Sequence, residues 1–271
     1  MVIRFNNVSY LDKLLNINCS FEEGKIAFLI GSSGSGKTLI SYLMTGLILP
    51  TEGNISILGN IIDANSKDFN YIRKNIGYVF QNAENSFFTT SVRKEIEFGL
   101  KKYEYKLDNL EDRIKQSLKI VGLPLEYLDN NPFALSSGEK EKLAIAISLS
   151  LNPKIIVLDE PTTYLDDKSK NQLIFLLKKL KEKYNKTIII ISNDIDFIMK
   201  LADNIILLKK GKIILKDNIS KLFDNMELLK KNNMESAKIL EFINTAEKYK
   251  NIKLNKTLDI DELVSEIKNG K

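Results

Sequence analysis

Eight consecutive residues constrain this chain more than any others: Gly31, Ser32, Ser33, Gly34, Ser35, Gly36, Lys37 and Thr38. They fit the spacing G-x-x-x-x-G-K-[ST], follow the apolar run Ile26–Ile30, and precede a segment with helical spacing. Glycines let backbone N–H groups turn inward around a polyphosphate, and the helix that follows adds the positive end of its dipole. In such a loop Lys37 reaches the β- and γ-phosphates and Thr38 ligates Mg²⁺. A strand–loop–helix of this kind requires a sheet whose strands end at a ligand site, so the loop already points to an α/β fold.

The rest of the chain alternates accordingly. Strands are expected at Lys25–Ile30, Asn54–Leu58, Ile76–Phe80, Lys154–Leu158, Thr187–Ile191 and Asn204–Leu208. The unbroken apolar runs Ile155–Leu158 and Ile188–Ile191 suit parallel strands covered on both faces. Ile55, Ser56 and Ile57 alternate as in a half-buried antiparallel strand. Helices are expected near 37–46, 108–121, 138–151 and 167–183; in the second, Leu110, Ile114, Leu118 and Val121 share one face. Beyond about Lys216 the strand-like runs stop, and Leu222, Phe223, Ile239, Leu240, Leu263 and Val264 mark a small helical extension.

A second chemical element closes the run Ile155–Leu158: the acids Asp159 and Glu160, then Pro161. The carboxyl end of a buried strand is where open α/β sheets bind ligands. Beside a phosphate loop, Asp159 can hold the Mg²⁺ shell and Glu160 can orient or polarise an attacking water. The chain has no histidine and one cysteine, Cys19, which excludes a His-based triad, a His/Cys metal centre and a disulfide framework. No apolar run approaches the roughly 18–20 residues of a membrane span, and the N-terminus lacks a signal-peptide pattern, so a soluble intracellular protein is expected. The net charge is only +5, and residues 216–271 hold 11 lysines against 10 acids. No basic tail concentrates the excess, and no nucleic-acid partner is expected.

Between the loop and the acidic pair lie Leu135, Ser136, Ser137, Gly138, Glu139 and Lys140. With its flanking motifs this order resembles the ATP-binding cassette (ABC) ATPases, whose signature usually reads Leu-Ser-Gly-Gly-Gln. The resemblance spans residues 1 to about 215. It implies an α/β P-loop ABC ATPase fold: a mostly parallel core sheet, an antiparallel β subdomain, and a helical subdomain at about 83–150. Residues 216–271 are then a C-terminal helical extension that joins two ATPases. The resemblance further implies that ATP and Mg²⁺ are the cofactors and that two such domains pair head to tail. Ser136, Ser137, Gly138 and Glu139 would then act on the nucleotide of the other subunit. Gln81 falls at the Q-loop glutamine and would join Thr38 and Asp159 around Mg²⁺; Tyr164, Leu165 and Asp166 resemble the D-loop. Tyr10 sits where the adenine-stacking aromatic falls, with a core tyrosine as the alternative. Asn193 occupies the position of the switch histidine, where an amide offers one uncharged hydrogen bond. Glu160, Gln81 and Asn193 form the implied catalytic set.

The segment from Gln81 onward, with Glu84, Phe87, Val92, Phe98 and Gly99, resembles the ATPase subunits of energy-coupling factor (ECF) transporters, as does the tail. Ala83 and Ser86 depart from that pattern. The resemblance implies uptake of a vitamin or metal ion. It also implies three partners: a second ABC ATPase, a transmembrane coupling subunit and a membrane-embedded substrate-binding subunit. The chain would be peripheral, on the cytoplasmic face of the cell membrane. Phe87 and Phe88 read either as a docking spot for a partner helix or as core. Competing readings are a soluble ABC ATPase acting on nucleic acid or ribosomes, or the ATPase subunit of another kind of ABC transporter. Only about 97 residues separate Thr38 from Leu135, with no heptad run, which leaves no room for a long inserted coiled coil.

Overall fold

The computed structural model describes residues 1–67, 69–103, 109–219, 264, 265, 267 and 268. Two sheets organise the chain. The first is antiparallel, in the order β2 (Leu14–Phe21), β1 (Ile3–Tyr10), β4 (Glu52–Ile57), β5 (Asn60–Ile62). The second has six strands in the order β10 (Lys212–Asn218), β9 (Asn204–Lys209), β3 (Ile26–Ile30), β8 (Thr187–Ile191), β7 (Ile155–Asp159), β6 (Ile76–Val79). Its five strands from β9 to β6 run parallel, and only β10 is antiparallel.

The runs of Ile, Leu and Val explain the second sheet, because β-branched side chains pack well on a pleated surface. Strands β3, β7 and β8 are buried along their whole length. Successive side chains point to opposite faces. Thus Phe28, Leu158, Ile188 and Ile190 enter one core, while Leu29, Val157, Ile189 and Ile191 enter the other. The first core is closed by helices. The second lies between the parallel sheet, the antiparallel sheet and α1 (Lys37–Met44). Each fully buried side chain of this size contributes about 1.5–3 kcal/mol, so the two-sided burial fixes the central strands rigidly.

Every described element from Ala83 to Ser150 is helical: short 3-10 turns at Ala83–Ser86, Leu125–Asp129 and Pro132–Ala134, with α3 (Val92–Lys102), α4 (Leu110–Val121) and α5 (Ser137–Ser150). Ser91 caps α3, and Gly122 in the left-handed region ends α4. Helix α6 (Asp167–Tyr184) buries Leu173, Leu176, Leu177 and Leu180.

The six expected strands and four expected helices are present within a few residues at each end. Four strands and three helices lie outside those segments: β1, β2, β5, β10, α2 (Asn70–Asn75), α3 and α7 (Ile195–Leu201). Strand β10 carries the sheet to Asn218, past the boundary near 215. The helical extension expected at 216–271 otherwise falls almost entirely outside the described residues; of it, Val264, Ser265, Ile267 and Lys268 are helical and exposed.

Candidate functional site

The loop between β3 and α1 forms one wall of a cleft of about 700 Å³, a size suited to a nucleotide-scale ligand. The glycines are there for conformational reasons. Gly31 has φ 145°, and a Cβ on it would lie 2.3 Å from the Leu208 carbonyl oxygen. Gly36 takes the left-handed region just before α1. The loop therefore folds back tightly and turns Ser33 to Thr38 toward the cleft. Ser35 is buried, and its hydroxyl has no hydrogen-bond partner among the described residues. An orphaned donor inside this glycine-rich turn fits an oxygen-rich anion.

Lys37 is buried, and its ammonium donates to the Gly31 carbonyl and, at 3.1 Å, to that of Ser32. Burial pulls it below the ordinary lysine range, and the charges of Glu160 and Asp159 oppose that shift. Across the cleft, β7 lies beside β8 with Asp159 opposite Ile191. Burial raises the Asp159 carboxyl above the usual range; hydrogen bonds from Tyr78 and Thr38, and the Lys37 charge, pull the other way. The Tyr78 hydroxyl donates to Asp159 at 3.0 Å and lies 3.2 Å from the Ser41 hydroxyl, which donates to the Thr38 carbonyl at 2.8 Å. Tyr78 and Ser41 thus tie the Asp159 carboxylate to the first turn of α1. Sequence reasoning missed both. The signal was a tyrosine inside a strand that ends beside the acidic pair.

Glu160 takes φ 46°, unusual for a residue with a side chain. Its N–H donates to the Ile191 carbonyl at 2.8 Å. Burial raises its carboxyl above the ordinary range, Lys37 lowers it, and Asp159 raises it further; the Asn193 N–H and the Ser192 hydroxyl also bond it. Asn193 stands on the same rim, where its Oδ1 accepts from the Gly31 N–H at 3.3 Å. That bond leaves the amide Nδ2 to serve as the donor side. Gln81 lines the cleft as well.

The cleft thus gathers Ser33, Gly34, Ser35, Gly36, Lys37, Thr38, Gln81, Asp159, Glu160 and Asn193, while Gly31 and Ser32 hold Lys37 from behind. It does not gather Tyr10, which packs against the core beneath the antiparallel sheet. The residues of that turn lining the cleft are Asp12 and Lys13. The signature segment also stands apart. Ser136 is the exposed N-cap of α5, where its N–H and hydroxyl donate to the Glu139 carboxylate at 2.9 and 2.6 Å. Those two bonds hold Glu139 below the usual carboxylate range. Gly138 packs on α6: a Cβ there would lie 2.7 Å from the Ser169 hydroxyl. Asp166 caps α6, accepting the Ser169 N–H at 2.7 Å.

A second cavity of about 230 Å³ links these parts, lined by Gln81, Ser137, Glu141, Glu160 and Tyr164 among others. Lys140 bridges to Glu84 at 2.5 Å, joining the segment after Gln81 to α5. Glu141 is buried, and its Oε1 has no hydrogen-bond partner among the described residues. Desolvation pushes its carboxyl up to about 8.

A phosphate cradle, an acidic pair two strands away and a separate capped signature helix define a P-loop ATPase of the ATP-binding cassette class. The family model described as ABC transporter matches residues 14–163. Energy-coupling factor transporter ATP-binding protein EcfA2 of Staphylococcus epidermidis is 36% identical over 263 residues, covering 93% of this chain and 92% of that one. Its counterpart in Clostridium perfringens is 38% identical over 220 residues, covering 80% and 77%. Among solved structures, cbiO1 from Clostridium perfringens, part of the ABC transporter complex cbiONQ, superposes with a TM-score of 0.78 at 29% identity, covering 90% of this chain and 98% of that one. A dimeric bacterial ABC transporter cassette gives 0.71 at 30% identity, covering 80% and 98%. The chain belongs to the ABC transporter family and, within it, to the energy-coupling factor transporter ATP-binding proteins.

Proposed function

We propose that this chain hydrolyses ATP to power uptake of a vitamin or metal ion through an energy-coupling factor transporter. It would be one of two cassettes paired head to tail on the cytoplasmic face of the membrane, beneath a transmembrane coupling subunit and a membrane-embedded substrate-binding subunit. The observation that carries the reading is the convergence of Gly34–Thr38, Gln81, Asp159, Glu160 and Asn193 on one cleft. No helix among the described residues is long and apolar enough to cross a membrane, so solute passage needs other chains.

In this reading the N–H groups of Ser33 to Thr38 cradle the phosphates, and Lys37 leaves the Gly31 and Ser32 carbonyls to neutralise the β- and γ-phosphates. Thr38, Asp159 and Gln81 would hold Mg²⁺. Among the described residues no larger acidic cluster gathers, and a Mg²⁺ shared with phosphates needs only one or two carboxylates. The ion supplies charge neutralisation at the phosphoryl oxygens. Glu160 accepts a proton from the attacking water, and Asn193 donates Nδ2–H to the γ-phosphate. Ser136, Ser137 and Gly138 present their hydroxyl and N–H groups to the partner's nucleotide. Glu139 releases the Ser136 hydroxyl at that point, and Asp166 sets α6 beside the junction.

A single electrostatic donor at such a site is worth roughly 10²–10³ in rate, and an uncharged amide supplies less than a charged imidazole. Asn193→His in the assembled complex should therefore raise turnover by about tenfold or more. An unchanged steady-state rate would show that Asn193 already does the full work of the donor.

The docking surface is separable from the cleft. Phe87 is core, edge-on to Phe133, whereas Phe88 is 62% exposed and stacks edge-on with Phe98, itself 54% exposed, at 4.7 Å. The buried Glu95 carboxylate accepts the N–H groups of Phe88 and Thr89 at 2.7 and 2.5 Å, which holds this loop in place. A fixed, exposed aromatic pair suits a partner helix, and central aromatics carry about 2 kcal/mol or more each in interfaces. Co-expression with the membrane subunits and isolation from membranes tests the assignment. Wild type should co-purify with them, and Phe88→Asp with Phe98→Asp should lose at least about tenfold of that association with MgATP binding unchanged. Undiminished co-purification would remove this pair from the interface.

A further inference from the structure

The cleft has two distinct ends. Asp159, Glu160 and Asn193 converge on Gly31 and Lys37. The other end is built by two turns. The turn between β1 and β2 lays the Lys13 carbonyl 3.8 Å, and Leu14 Cδ2 2.6 Å, from where a Cβ on Gly36 would sit. The turn between β9 and β10 donates the Gly211 N–H to the Ser35 carbonyl at 3.0 Å and accepts the Leu15 N–H at 2.9 Å. Gly211 fits so closely that a Cβ would lie 2.1 Å from the Lys13 carbonyl oxygen. A triphosphate laid along the loop with its terminal phosphate at Glu160 therefore leaves its nucleoside under these two turns.

The side chains lining that end are Asp12, Lys13 and Lys210. Among the described residues no aromatic side chain lines the cleft. Tyr10, the nearest one in sequence, pairs with Leu14 across the hairpin and packs into the core, because the turn after it is only three residues long and Leu11 takes φ 47°. The base therefore meets a carboxylate and two ammonium groups in place of a ring. Stacking holds any base, since every base has a π-face; hydrogen bonds at the base edge discriminate. An ionised carboxylate only accepts hydrogen bonds. Guanine offers it a ring N–H and an amino group side by side, whereas adenine offers one amino group.

We propose that this site takes GTP about as readily as ATP, to within threefold, and that Asp12 is the residue that reads the base. The proposal rests on the nucleotide reading given above and specifies its substrate class more closely. Lys13 and Lys210 offset the Asp12 charge beside the anionic ligand and, being flexible donors, add little preference of their own.

MgATP and MgGTP titrated separately into the full chain, followed by calorimetry, test this. The expected result is a GTP dissociation constant no more than about threefold above that of ATP. Asp12→Ala, an exposed turn variant, should weaken GTP roughly fivefold more than ATP, the worth of about one hydrogen bond. Asp12→Tyr should tighten ATP and abolish any lean toward GTP. GTP weaker than ATP by more than threefold, or Asp12→Ala shifting both nucleotides alike, would overturn the inference and leave the ATPase reading standing. Binding of neither nucleotide would overturn both.

Discussion

Glu160→Gln will lower ATP turnover by ~10²–10⁴-fold, the usual worth of a positioned general base, and leave nucleotide binding close to that of the parent. The backbone at Glu160 is held at φ 46° by its N–H bond to the Ile191 carbonyl. That conformation costs about 1–3 kcal/mol, and such costs concentrate where a side chain must be aimed. The amide keeps the shape and the hydrogen bonds to Asn193 and Ser192 but has no carboxylate to take a proton from water. The same environment sets the pH dependence. Burial raises the Glu160 carboxyl, and the working form is the ionised one, so turnover should decline toward acid at a higher pH than an exposed glutamate would give. Steady-state rates and equilibrium binding, measured on both proteins from acid to neutral pH, check both points. Parent-like turnover in Glu160→Gln would remove Glu160 from the role of base.

Glu141→Gln should stabilise the fold in mild alkali by several kcal/mol. The side chain is buried beside the second cavity, one oxygen lacks any partner among the described residues, and its carboxyl is pushed up to about 8 from an ordinary value of 4.5. Between those two values the folded chain holds a proton that the unfolded chain has released. Stability from this group is therefore complete below about pH 4.5 and is lost as pH rises through 8. Every pH unit separating the folded and unfolded titrations is worth about 1.4 kcal/mol, so the loss is on the order of 5 kcal/mol. Glutamine has nearly the same shape and no charge to desolvate. Urea midpoints for the two proteins should nearly coincide at pH 5 and diverge at pH 8.5 in favour of the variant. Parallel pH profiles would mean that Glu141 finds a partner or solvent on folding.

What the amino-acid sequence discloses of each element follows from the physics of that element. Strands such as Thr187–Ile191 announce themselves, because two-sided burial needs an unbroken apolar run. Strand β1 hides because its alternation is broken: Asn7 takes φ 50°, and the register with β2 shifts between Phe5 and Val8. Strand β10 is an edge strand with no fully buried residue, so polar side chains dominate its text. Helix α3 is marked only by Val92, Ile96 and Leu100 at four-residue spacing, a thin apolar stripe among charged neighbours. The site divides in the same way. Lys37, Asp159 and Glu160 belong to local motifs whose spacing carries the chemistry. Tyr78, Ser41 and Glu141 act across elements, and only the packing of β6, α1 and α5 brings them to the cleft or its neighbouring cavity. Tyr10 shows the limit of local matching: a shift of two residues around a tight turn exchanges a cleft position for a core one.

We propose that the loop from Gly31 to Thr38 holds a nucleoside triphosphate through Lys37. Lys37 is buried among the acids of the cleft, and its two bonds run to carbonyls of the loop itself. Hydrogen bonds to charged groups contribute about 1.5–3 kcal/mol each. Calorimetric titration of MgATP into the parent and into Lys37→Ala measures this directly. Binding to the parent should saturate at one site per chain, and affinity should be at least about tenfold weaker in the variant, with both proteins equally folded by circular dichroism. Equal affinity in the two proteins would contradict it.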